Sequence, residues 1–98
     1  MKCEELIKAF VLGYSDIGDK ASNLEVKKEK GKKVLYNYST IIAGWESKNQ
    51  LLINNNKYSN TTTKNQILLK EYANGNADIL PAKKMYNRLG IKPDWRSL

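Results

Sequence analysis

With 98 residues, 41% of them hydrophobic and 9% aromatic, the chain has the length of one domain with a modest core and is too short for two domains with a cleft between them. The formal charge is +7 and histidine is absent, which removes the usual general base and the commonest metal ligand together. A single cysteine, Cys3, excludes an internal disulfide and leaves a zinc site without its ligands.

The opening "MKCEELIKAFVLGYS" lacks the shape of a signal peptide, and no apolar run approaches the ~20 residues of a membrane span, so a soluble cytoplasmic protein is expected. Leu6, Ile7, Phe10, Val11 and Tyr14 recur at helical spacing behind Glu4 and Glu5, which predicts a helix over Cys3 to Leu12 ended by Gly13. "SDIGDKASN" then reads as a loop. Asp16 and Asp19 lack the ligand count of a calcium loop and read as a solvated turn.

"NLEVKKEKGKKVLYNYSTIIAG" predicts a β-hairpin with a charged tip at Gly31 and a second strand running from Val34 to Ala43. In such a strand Val34, Tyr36, Tyr38, Thr40 and Ile42 share the face assigned to the core. "GWESKNQ" makes a second turn and "LLINNNKYS" a third strand. Thr63 and Gln66 have capping-box spacing, followed by an apolar stripe of Ile67, Leu68 and Tyr72 and an Asn74-Gly75 stop. A last helix begins at Pro81, carries Met85, Tyr86 and Leu89, and stops at Gly90 before Pro93. The expected fold is one α+β domain over residues 1–98: an N-terminal helix, a three-stranded antiparallel sheet, and two C-terminal helices packed on one sheet face.

The charge is uneven. "KKEKGKK", residues 27–33, and the stretch 81–98 each carry a net +4, so together they exceed the charge of the whole chain. Lys27, Lys28, Lys30, Lys32 and Lys33 in the hairpin, with Lys83, Lys84 and Arg88 in the last helix, are therefore the candidate contacts to a nucleic acid or an acidic partner. Ordinary solvated surface charge explains the same residues.

Thr61, Thr62, Thr63 and Lys64 stand at a predicted helix N-terminus, where free amides and the dipole favour an anion, although capping alone accounts for them. Tyr36 and Tyr38 beside the lysine-rich tip have the make-up of a stacking platform for single-stranded nucleic acid, or else of core aromatics. Trp45 and Trp95 are candidate interface anchors or lids on the core. Neither a phosphate-binding glycine loop nor a dinucleotide fingerprint is present, and Cys3 has no base near it in sequence.

Leu35, Tyr36, Tyr38, Thr40, Ile42 and Ala43, followed by Tyr58, Ser59, Thr61, Thr62, Lys64 and Gln66, resemble a family of small phage-encoded proteins with the pattern "L-Y-S-Y-x-T-x-I-A" and then "Y-S-x-T-T-S-K-H-Q". Thr63 and Asn65 depart from it where the pattern has serine and histidine. The resemblance spans about half the chain and implies a phage or prophage setting without an established activity. The expectation is a non-enzymatic protein, without cofactor or metal, whose basic surface engages a nucleic acid or a host nucleoprotein effector. An anti-CRISPR-type inhibitor docking on a host defence complex by protein contacts is the alternative, and an enzyme built on the Tyr58 to Lys64 cluster is a third.

Overall fold

Four two-residue turns set the topology of the first half of the chain. In the computed structural model, which describes residues 1–92, helix α1 (Cys3–Leu12) is followed by strands β1 (Lys20–Ala21), β2 (Leu24–Glu29), β3 (Lys32–Asn37), β4 (Thr40–Ser47) and β5 (Gln50–Asn54). Each strand is antiparallel to the one before it, with only two residues between the last pair of one ladder and its return. At the tip between β2 and β3, Lys30 and Gly31 both have positive φ, 52° and 79°, as a type I′ hairpin requires.

Helix α2 (Asn60–Ala73) then crosses over to β6 (Ala77–Leu80), which lies parallel to β5, and α3 (Ala82–Leu89) closes the described chain. A helical crossover is what a parallel neighbour demands. Among the described residues the sheet therefore has six strands in the order β1-β2-β3-β4-β5-β6 and is mixed. The expected three-stranded antiparallel sheet is corrected on both counts.

The helices are also placed differently from the expectation. Leu6, Ile7, Phe10 and Val11 of α1 and Leu69 and Ala73 of α2 bury against Val26, Leu35, Ala43, Leu51 and Ile53 on one sheet face. Met85, Tyr86 and Leu89 of α3 bury against Val34, Ile41 and Leu52 on the other. The two C-terminal helices thus lie on opposite faces, and α1 joins α2. Each of the larger aliphatic and phenylalanine side chains among these contributes roughly 1.5–3 kcal/mol of transfer free energy.

Covering both faces explains one misread element. The run Val34 to Ala43 is not one strand: it folds back at Tyr38 and Ser39, with Tyr38 at φ 56°. Tyr36 and Tyr38 consequently do not share a strand face. Beyond the turn, Tyr36 pairs with Ile41 and Leu35 with Ala43, so Ile42 is the extra residue of a β-bulge. That bulge lets Ile42 and Ala43, adjacent in sequence, both join the α1–α2 core.

α3 seats on a glycine. A Cβ at Gly44 would stand 2.8 Å from Leu89 Cδ1 and 3.2 Å from Val34 Cγ1, and Leu89 is fully buried with little room to give. Gly44→Ala is expected to destabilise the protein by about 1–3 kcal/mol through overpacking, measured by urea unfolding. An unchanged unfolding midpoint would show that α3 shifts freely on the sheet.

Candidate functional site

The hydroxyl-rich stretch before α2 turns inward. Ser59, not Thr63, is the N-cap: its Oγ accepts from Thr62 N at 3.3 Å, and the helix starts at Asn60. Thr62 is buried, and its Oγ1 accepts from Asn37 Nδ2 at 2.9 Å, while Asn65 Nδ2 donates to Asn37 Oδ1 at 2.6 Å. Gln66 does not reach back to a cap. Its Nε2 donates to Asn54 O at 2.7 Å and Asn56 O at 2.8 Å. Asn54 Nδ2 in turn donates to Ile41 O and to Tyr58 Oη, both at 3.0 Å.

Thr61 and Lys64 are exposed and Thr63 is half-buried, so the four residues proposed to hold an anion do not converge on one point. The stripe on α2 is correspondingly polar. Thr62, Asn65, Gln66, Leu69 and Ala73 are buried, Leu68 and Tyr72 are partly so, and Ile67 is 48% exposed.

The hairpin lysines divide between the two faces because side chains alternate along a strand. Lys27, on the side of α3, lies 4.8 Å from the Tyr36 ring centre and 4.0 Å from Glu25, which also meets Lys20 at 3.9 Å. Tyr36 donates its hydroxyl to Glu29 at 3.0 Å, and burial together with that bond raises its pKa. The ring is thus already covered by a cation within a lattice of mixed charge. Tyr38, 65% exposed, stands apart at its turn.

Lys28 and Lys33 are directly opposed on the α1–α2 side, and Lys33 Nζ donates to Ser15 O. Lys30 is exposed at the tip, and Lys83 and Lys84 are exposed on α3. Arg88 is engaged: its Nε and Nη2 fork onto Glu46 at 2.8 and 2.5 Å, and Nη2 reaches Asp78 at 3.3 Å. This clamp fastens α3 to β4 and β6, and it holds the Glu46 carboxyl below its ordinary pKa. Trp95 lies outside the described residues.

A cleft of about 450 Å³ opens at the hairpin-tip end of the sheet, lined by Leu12 at the end of α1 and Gly13 after it, Gly31 to Lys33 on the β2–β3 hairpin, and Trp45 to Lys48 on the β4–β5 hairpin. A second hollow of about 300 Å³ shares Leu12, Trp45 and Lys48 with it and adds Tyr72 and Asn76. Trp45 is fixed between them by its indole N–H, which donates to Phe10 O at 3.0 Å. Lys32 Nζ donates to Glu46 O at 3.2 Å across the cleft wall. Sequence reasoning missed Lys48, a single lysine in a turn; the signal was that both hairpins end at the same side of an antiparallel sheet.

Among the described residues no group of three or more metal-ligating side chains converges, and no helix is long and apolar enough to cross a membrane. Asp16 and Asp19 meet each other in a turn, with Asp16 N donating to Asp19 Oδ2 at 2.9 Å.

If the motif around Ser59 serves the fold, Asn37→Ala should cost about 1–3 kcal/mol, because it strands Asn65 and Thr62 in the interior. Lys64→Ala, at an exposed position, should stay within about 0.5 kcal/mol. Chemical denaturation of both variants checks this, and equal effects would refute it. The Glu46 carboxylate, its folded pKa lowered, adds stability above the ordinary value near 4.5 that fades as pH falls through the folded value. Glu46→Gln should therefore flatten the acid limb of the stability–pH curve; a limb as steep as in the wild type would show that the clamp adds nothing.

No curated protein and no solved structure matches the chain significantly. One family model matches residues 13–86, a span that holds the whole sheet, the polar network and the lysines of the cleft. The chain is thereby a member of that family, described as a family of unknown function, DUF8033.

Proposed function

We propose that the protein is a non-enzymatic binding protein of phage type that engages a nucleic acid, free or within a host nucleoprotein, through the basic cleft at its hairpin tips. The observation that carries this reading is that Lys48 lines the same cleft as Lys32, Lys33 and Trp45, residues from two hairpins that are separate in sequence. A lysine amine has three donors, so Lys32 and Lys33 keep donors for a phosphate beyond the carbonyls they already meet. The inward hydrogen bonds of Tyr58, Ser59 and Thr62 favour a structural role for that cluster over catalysis. The resemblance to phage-encoded proteins supports the host setting.

A second reading is an anti-defence inhibitor that docks by protein contacts. Leu12, Tyr14 and Ile17, respectively 47%, 75% and 52% exposed, favour it as an apolar stretch beside the same cleft. In that case Tyr14→Ala would weaken capture of the target far more than loss of any one lysine.

The test is fluorescence anisotropy with labelled oligonucleotides. About three phosphate contacts predict an affinity that falls roughly 20- to 40-fold as salt rises from ~50 to ~200 mM. A Lys32→Glu, Lys48→Glu variant should lose most of that dependence, and a Lys83→Glu, Lys84→Glu variant should retain it. Binding indifferent to salt would sink the reading.

A further inference from the structure

Resting on the nucleic-acid reading, we infer that the cleft takes a single strand and seats two successive bases, one in each hollow, with Lys48 at the phosphate between them. The two hollows, about 450 and 300 Å³, are contiguous through Leu12, Trp45 and Lys48. Each has an aromatic wall: Trp45 borders both, and Tyr72 borders the smaller. Trp45 donates its indole N–H to Phe10 O, and both rings lean on the α1–α2 core yet remain half-exposed, so it is their outer parts that border the hollows and are left for stacking.

Lys48 borders both hollows, and Lys32 and Lys33 border the larger. A duplex keeps its bases stacked inside and is read by an element that protrudes into a groove. A recess between two hairpins and the end of a helix offers the reverse shape, which only an unpaired, flexible strand fills with its bases. Charge complementarity comes from Lys32, Lys33 and Lys48, set against Glu46, whose carboxylate is already held by Arg88.

The experiment compares an oligothymidylate of about 12 nucleotides with a duplex of the same length, followed by tryptophan fluorescence in a Trp95→Phe background so that Trp45 alone reports. The single strand should bind at least about 10-fold more tightly than the duplex and quench Trp45. Tyr72→Leu should lose roughly 5- to 150-fold in affinity, while Tyr72→Phe, which keeps the ring, should bind like the parent. Far-ultraviolet circular dichroism and urea unfolding confirm that both variants fold. Equal, salt-sensitive binding of strand and duplex would overturn this inference and leave the phosphate-binding reading standing. Tight single-strand binding with no quench and no effect of Tyr72→Leu would also overturn it. Binding of neither would end both.

Discussion

The segment from Asn54 to Ser59 is the point on which the C-terminal half depends. It leaves the sheet at β5 and must turn into α2 while the Asn54 and Asn56 carbonyls find partners off the ladder. Three side chains solve this. The Gln66 amide takes the carbonyls of Asn54 and Asn56, the Asn54 amide reaches back to Ile41 O, and Asn56 Oδ1 accepts from Ala82 N at the start of α3. α3 has no cap of its own from Pro81, so a residue from a distant turn supplies one. A buried network of this kind is worth having only when every member is satisfied, because an unpaired amide in low dielectric costs more than the bond returns.

The same network accounts for the motif that stands out in the sequence. Tyr58, Ser59, Thr62 and Gln66 are spaced as they are because one turn of helix must present Thr62, Asn65 and Gln66 inward together. Their chemistry is hydrogen bonding between α2, β3 and the β5 exit, and it is spent inside the protein. Asn65 donates to Asn37 from a buried position.

What the sequence made legible follows from how many faces each element buries. α1 and α3 have one buried stripe each; the bounds of α1 came out as the spacing predicts, while Pro81 is the N-cap of α3 and not its first residue. The predicted stripe on α1 failed only at Tyr14, beyond Gly13, which is 75% exposed. β3, β4 and β5 are covered on both sides, so alternation is lost along them, and the turn between β3 and β4 is hidden in an apolar run while the one after β4 shows in "GWESKNQ". Tyr38 at positive φ is an unusual turn residue and gave no warning. β6 is four residues between two helices, too short for any period to show, and it was missed entirely. Capping was legible in kind and wrong in place, because four candidate hydroxyls stand within five residues and only the tertiary contact of Thr62 with Asn37 selects Ser59.

The charge pattern required the fold before it meant anything. A run of five lysines looks like one footprint, yet pairing on a hairpin sends Lys27 to one face and Lys28 and Lys33 to the other, and Arg88 is consumed by Glu46 and Asp78. What survives is smaller and better held. Lys33 is tied to Ser15, Lys32 to the Glu46 carbonyl, and Trp45 to Phe10, so the walls of the cleft brace one another across α1 and two hairpins. Groups fixed before a ligand arrives lose less freedom on binding than long side chains gathered from solution, and that lowers the cost of association for a site with few cations. On the proposed nucleic-acid reading, a modest number of charges in a braced recess is therefore a better basis for recognition than the larger number dispersed over α3 and the outer strands.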